Sequence, residues 1–119
     1  MDEILVSGIR NRYLKTLDQV SEASIKAGRK AGTVRLVVVT KSQPLEVVRA
    51  TIEAGATTLG ENYVEEALIK IEEVKNFSVE WHMIGHVQSR KSNLIPGKFT
   101  LLHSLDSLKL AGRLNRVCM

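Results

Sequence analysis

The feature that most constrains the fold is a short run of largely β-branched residues, VRLVVVT, at positions 34–40. The run is nearly all apolar, and the turn-forming Gly32 comes shortly before it. A strand covered on both faces is a continuous apolar run, whereas a one-sided antiparallel strand alternates apolar with polar residues. The run therefore predicts the first strand of a parallel sheet, and we expect both of its faces to be buried.

Strand and helix patterns alternate around this run. Apolar residues at helical spacing predict a leading helix over residues 3–27. The predicted strands are 34–40, 56–59, 79–84 and 99–103, and the predicted helices are 44–54, 63–74, a short one within 87–94 and a last one through Leu110, Leu114 and Val117. Such alternation favours right-handed βαβ units and therefore an α/β fold with a parallel sheet.

The helix ends carry recognisable signals. Pro44 suits the first position of a helix, Gly55 suits a C-terminal stop, and residues 104–107 (SLDS) offer N-caps for the last helix. No linker divides the 119 residues, so we expect one domain over 1–119.

Composition limits the classes of function. No apolar run approaches a membrane span, the N-terminus lacks a signal-peptide pattern, and the single cysteine, Cys118, fits a reducing compartment, so a cytoplasmic location is expected. A net charge of +4 could favour an anionic ligand such as a phosphate ester. Nucleic-acid binding is not favoured, because the basic residues are dispersed and only 4% of residues are aromatic.

The polar residues after each predicted strand form a candidate site, because parallel α/β proteins bind ligands at the carboxyl ends of their strands. These segments are 40–42, 60–63, 85–88 and 103–104. Lys41 follows the apolar run directly, and low-dielectric surroundings would favour its neutral, nucleophilic amine. The alternative is a lysine that extends from a strand end into water.

The other candidates have equally plain structural alternatives. Asn62 could be an ordinary N-cap, and His82, between Trp81 and Met83, could be a satisfied core histidine. No cysteine or acid completes a metal-ligand set with His82 and His86, so zinc is not expected. The pairs Glu65–Glu66 and Glu72–Glu73 are typical of a solvated helix face.

Four collinear blocks resemble the motifs of the pyridoxal phosphate homeostasis proteins, small relatives of the N-terminal domain of alanine racemase. They are VVVTKSQP at 37–44, LGENYVEEAL at 59–68, EWHMIGHVQSRK at 80–91 and LLHSLDSLKLAGRLN at 101–115. The resemblance implies a parallel (β/α) barrel of the alanine racemase N-terminal type, with about its first half here. It also implies pyridoxal 5'-phosphate held as a Schiff base on Lys41, with Asn62 and His82 near the cofactor.

The resemblance implies a carrier or regulator of the cofactor pool rather than an enzyme. The family's phosphate-holding segments and the arginine facing the pyridine nitrogen have no counterpart here, so we expect weak, reversible binding. A half barrel would leave open strand edges, which favour self-association or a partner chain. Two alternatives stay open: an amino-acid racemase-like enzyme that depends on this cofactor, and a truncated half barrel without cofactor function.

Overall fold

The structure, a computed structural model, describes residues 2–118 and contains four α-helices and four strands in that range. The helices are α1 (Glu3–Lys26), α2 (Leu45–Glu53), α3 (Val64–Glu73) and α4 (Leu108–Cys118). The strands are β1 (Val38–Val39), β2 (Thr58–Glu61), β3 (Glu80–Met83) and β4 (Leu101–Leu102). A short 3-10 helix, Ser89–Leu94, connects β3 to β4.

The four strands form one parallel sheet in the order β1-β2-β3-β4. Each strand is connected to the next by a helix, as parallel neighbours require. The predicted α/β fold with a parallel sheet is confirmed, and four sequential parallel β/α units are consistent with an arc of a barrel. Strands β1 and β4 form the two edges of this sheet.

The apolar core lies between the sheet and its helices. One cluster joins α3 and α4 to β3 through Ala67, Met83 and Leu110, and a second joins α2 to β2 and β3 through Val48, Leu59 and Trp81. A third, smaller cluster packs α1 against α2. The side chains of Leu59, Trp81 and Met83 therefore mark the face of the sheet that the helices cover.

Element boundaries follow local signals closely in the helices and less closely in the strands. Gly55 has a φ of +114° just after the C-cap of α2, and Ser107 Oγ accepts a hydrogen bond from Leu110 N at 3.1 Å at the start of α4. The second strand lies two residues later than the sequence predicts, so Glu61 belongs to the strand rather than to the following loop.

The first strand corrects one prediction. Only Val38 and Val39 pair with a neighbouring strand, and Val34 and Val39 are 41% and 48% exposed. The expectation that both faces are buried is therefore wrong. The reason is that β1 is an edge strand, and no helix of residues 2–118 packs on the face that bears Val39.

None of the helices among residues 2–118 combines the length and the apolarity that a membrane crossing requires.

Candidate functional site

Lys41 lies in a tight turn at the carboxyl end of β1. Thr40 N–H donates to Gly60 C=O at 3.0 Å, and Gln43 N–H then donates to Thr40 C=O at 3.1 Å. Ser42, the third residue of this β-turn, has a φ of +60°, as a type II turn requires. The Lys41 side chain is exposed, so the low-dielectric surroundings that the sequence predicts for it are not present among the described residues.

A buried group of charged residues lies beside this turn. Lys70 of α3 is 4% exposed, and its Nζ donates to Glu61 Oε1 at 3.0 Å, to Glu66 Oε1 at 2.8 Å and to Thr40 C=O at 2.8 Å. Glu61 is fully buried and also accepts a hydrogen bond from the Thr40 hydroxyl. We call Glu61, Glu66 and Lys70 the charge cluster.

Glu66 connects the charge cluster to the backbone of the turn. Its Oε1 accepts a hydrogen bond from Ser42 N–H at 2.8 Å. The Lys70 ammonium, with a smaller contribution from Ser42 N–H, holds the pKa of the Glu66 carboxyl below its ordinary value of 4.5. Glu66 is therefore only partly solvated, with one third of its side chain exposed, whereas Glu65, Glu72 and Glu73 are exposed as the sequence predicts.

Sequence reasoning missed this cluster. The spacing of Glu66 and Lys70, four residues apart on a helix, is the one local signal for it. The predicted strand 56–59 ends two residues before β2 does, so the sequence places the third member, Glu61, in a loop.

Asn62 follows β2 and rests against the segment after β3. The N-cap of α3 is Tyr63, without a side-chain capping bond, so the N-cap role that the sequence allows for Asn62 is wrong. A Cβ added to Gly85 would lie 2.1 Å from Asn62 O. Only glycine therefore permits this close approach of the two backbones. The contact determines the position of Asn62 at the carboxyl end of the sheet.

His82 lies on the face of the sheet opposite Trp81 and Met83, because neighbouring residues of a strand point to opposite faces. It is 3% exposed, and its Nδ1 lies 3.0 Å from His103 Nε2. Burial, and then the nearby His103 and Arg35, lower the pKa of His82 below its ordinary value of 6.5. The lowered pKa favours the neutral imidazole of His82, whose tautomer decides whether Nδ1 donates to His103 or accepts from it.

The second nitrogen of His82 has no hydrogen-bond partner. Within the described part of the chain, Nε2 is the one buried side-chain nitrogen or oxygen atom without such a partner, and it lies 3.8 Å from Glu80 Oε2. The interpretation of His82 as a satisfied core histidine thus explains why the residue is buried and why Nδ1 has a partner. It does not explain why Nε2 has none.

The register brings the three sequence-predicted residues to one end of the sheet. Val39 pairs with Gly60, and Gly60 pairs with His82, so Lys41 and Asn62 lie two residues further along their chains than this row. A Cβ on Gly60 would lie 2.8 Å from the side chain of Val37 and 3.2 Å from that of Ile84. The face of the sheet opposite the helices is therefore closely packed around Gly60. His103, which lies in the predicted site segment 103–104, joins this end through its contact with His82.

A cleft of about 460 Å³ lies beside Asn62, between the segments that follow β2 and β3. His86 and Lys91 also line it, and His86 Nδ1 lies 3.2 Å from Asp106 Oδ2. Neither Lys41 nor His82 lines this cleft. Between residues 2 and 118, no three His, Cys, Asp or Glu side chains come together as a metal site.

Comparison with known proteins finds similar sequences. No family model matches the chain. It is 40% identical over 110 residues to the pyridoxal phosphate homeostasis protein of Pseudomonas aeruginosa, and 35% identical over 113 residues to that of Escherichia coli. The chain is similar in sequence to the pyridoxal phosphate homeostasis proteins over about half of their length. The resemblance carried by the four motifs is confirmed.

The relationship covers most of this chain and part of its relatives. Each of these two matches takes in 92% of this chain and 48% of the relative, and the protein of Aquifex aeolicus matches at 36% identity over 46% of its length. The chain thus spans about half the length of the curated relatives it matches, in agreement with the N-terminal half that the motifs predict.

Solved structures agree with this fold. An unknown protein from Bifidobacterium adolescentis superposes with a TM-score of 0.86 at 28% identity, over 98% of this chain and 51% of that one. PipY of Synechococcus elongatus with pyridoxal phosphate bound superposes with a TM-score of 0.69 at 35% identity, over 82% of this chain and 46% of PipY. PipY has also been solved without pyridoxal phosphate.

The residues present fit part of such a cofactor. An exposed primary amine, Lys41, follows β1 at the carboxyl end of the sheet, and the amide of Asn62 follows β2 at the same end. These groups suit an aldehyde and an aromatic ring with polar substituents.

Proposed function

We propose that this chain binds pyridoxal 5'-phosphate in a protein of intracellular pyridoxal phosphate homeostasis, with the cofactor held as a Schiff base on Lys41. The observation that carries the proposal is the position of Lys41. Its exposed amine lies in a hydrogen-bonded turn at the carboxyl end of β1, and Asn62 follows β2 at the same end of the sheet. The relatives' name and the cofactor bound to PipY support the choice of ligand.

The chemistry needs a free amine and an electrophile. The cofactor supplies an aldehyde carbon when it is bound. Lys41 Nζ first loses its ammonium proton to solvent, then uses its lone pair to form a bond to that carbon, and one water molecule leaves as the C=N bond forms. Asn62 and His82 are proposed to lie near the ring and its substituents, with the Asn62 amide at the same end of the sheet as Lys41.

We favour a carrier or regulator over an enzyme. A racemase needs acid–base groups on both faces of a substrate carbanion. Lys41 could supply one, and no second group of the described residues has a geometry that singles it out. A racemase-like activity, and a half barrel without cofactor function, are the two alternatives that the experiment below separates from this proposal.

Two further statements belong to the proposal. A cytoplasmic site of action fits a chain with one cysteine. Self-association, or pairing with a partner chain, would satisfy the open edges of β1 and β4, where Val39 and Leu101 are about half exposed.

Absorption spectroscopy tests the proposed function. Titration of the chain with pyridoxal phosphate should give the absorption band of a protein-bound Schiff base, and Lys41→Ala should abolish that band. Lys109→Ala, which removes an exposed lysine of α4, is the matched control and should retain it. An unchanged spectrum in Lys41→Ala would contradict the assignment of Lys41. No band in the unaltered chain would favour the half barrel without cofactor function, and racemisation of alanine by the purified chain would favour the enzyme.

A further inference from the structure

The charge cluster is an unusual feature for a helix that packs on a sheet. Lys70 and Glu61 are 4% and 0% exposed, and Lys70 Nζ contacts both Glu61 oxygens, at 3.0 and 3.1 Å, together with Glu66 Oε1 and Thr40 C=O. The ammonium has three N–H donors, and these four acceptors occupy all of them. The cluster is thus a saturated arrangement with a defined geometry.

Stability alone does not explain why charged residues occupy these positions. Taking charges out of water is costly, and apolar residues of similar volume often stabilise a fold as well as a buried ion pair does. The direction of the contacts is more informative. They reach the backbone immediately before Lys41, at Thr40 C=O, and immediately after it, at Ser42 N–H.

The backbone at Ser42 needs such support. Its φ of +60° lies in the left-handed region, which glycine adopts readily and serine does not. The Ser42 N–H has Glu66 Oε1 as its acceptor at 2.8 Å. A charge-assisted hydrogen bond of this kind is shorter and stronger than a neutral one, so it can hold a disfavoured conformation.

We propose that Glu61, Glu66 and Lys70 are positioning residues that hold the Lys41 turn, so that the Lys41 amine is presented in one place at the carboxyl end of the sheet. This inference rests on the proposed function, because it takes Lys41 as the reactive amine. The cluster does not touch the cofactor in this account. It acts through the main chain on either side of Lys41.

The first measurement uses the chain without cofactor. Amide hydrogen exchange by NMR should show a protected Ser42 N–H, and Glu66→Ala should raise its exchange rate about tenfold through loss of the acceptor. Glu66→Gln keeps a neutral amide oxygen at that position and should restore part of the protection. Glu72→Ala removes the exposed partner of Lys75 on the same helix and should leave Ser42 unchanged. Unchanged exchange of Ser42 in Glu66→Ala would overturn the proposal.

The second measurement quantifies the reaction of the Lys41 amine. Each variant is incubated with pyridoxal phosphate, reduced with borohydride and digested, and adducts are quantified residue by residue. Lys41 labelling in Glu66→Ala should fall about tenfold, and in Glu66→Gln it should stay within about threefold of the unaltered chain. Labelling of the exposed Lys75 and Lys109 should not change in either variant.

The outcomes separate the two ideas. Absence of Lys41 labelling in the unaltered chain would overturn the proposed function and this inference with it. Full Lys41 labelling in Glu66→Ala would overturn the positioning role alone and leave the proposed function standing. Because Glu66 is one third exposed at its side chain, Glu66→Ala should fold, and circular dichroism checks this.

Discussion

The two segments that hold Lys41 and Asn62 lie at the same end of the sheet, yet different forces fix them. The Lys41 turn is held by charged side chains, through Glu66 at Ser42 and Lys70 at Thr40. Asn62 is held by contact between two backbones, with Gly85 leaving no room for a Cβ. The first segment should therefore respond to charge and pH, and the second to side-chain size.

The largest effect is expected when the charge cluster loses its cation. Lys70→Met leaves the fully buried Glu61 carboxylate without its ammonium partner. Such a change should lower the free energy of unfolding by about 3–5 kcal/mol, and urea unfolding followed by Trp81 fluorescence measures it. A loss below about 1 kcal/mol would show that Glu61 is not held as a buried charge.

A second substitution identifies the cause of that loss. Adding Glu61→Gln to Lys70→Met removes the unpaired carboxylate and should recover part of the stability. Glu72→Ala breaks an exposed ion pair of the same helix and should not move the urea midpoint.

A smaller loss of stability is expected at Gly85, where the space available for a side chain determines the packing. Gly85→Ala places a Cβ 2.1 Å from Asn62 O, and because the Cβ is fixed to one backbone and the oxygen belongs to another, the chain must shift. The loss in the free energy of unfolding should be about 1–3 kcal/mol and should not depend on salt. Gly112→Ala in α4, where the added Cβ meets nothing within 4 Å, is the control and should be neutral or stabilising. Equal effects at the two glycines would refute the close-contact account of Asn62.

The smallest expected effect is a difference between the amides of Ser42 and Ile84 in how their protection from hydrogen exchange responds to acid. The pKa of Glu66 is lowered in the folded chain, so the stabilisation that its negative charge adds to these hydrogen bonds is fully present above pH 4.5 and is lost as the pH falls through that lower value. Protection of the Ser42 N–H, corrected for intrinsic exchange, should decrease over this range. The Ile84 N–H, which donates to Glu61 C=O at 2.9 Å, should stay protected. Parallel loss at both amides would mean that acid acts on the whole sheet.

The features that the sequence predicts correctly are those that depend on residues close together in the chain. Alternating strand and helix patterns gave the parallel order, and Gly55 and Ser107 marked helix ends, because each depends on nearby residues. The charge cluster could not be predicted in this way. Whether Glu66 faces water or the core depends on how α3 packs on β2, and Ser42 carries no glycine-like signal for its positive φ.

The site shows the same limit. Motif resemblance pointed to Lys41, Asn62 and His82, and the structure places each at or near the carboxyl end of its strand. The contact of His82 with His103 depends on the pairing of β3 with β4, and therefore on tertiary structure.

The most direct test of the central claim, that Lys41 holds pyridoxal phosphate, is to map the borohydride-reduced adduct on the unaltered chain by mass spectrometry. The account predicts one dominant adduct, on the peptide that contains Lys41, at cofactor concentrations that leave Lys75 and Lys109 unmodified. Adducts spread over the exposed lysines, or none at all, would contradict it.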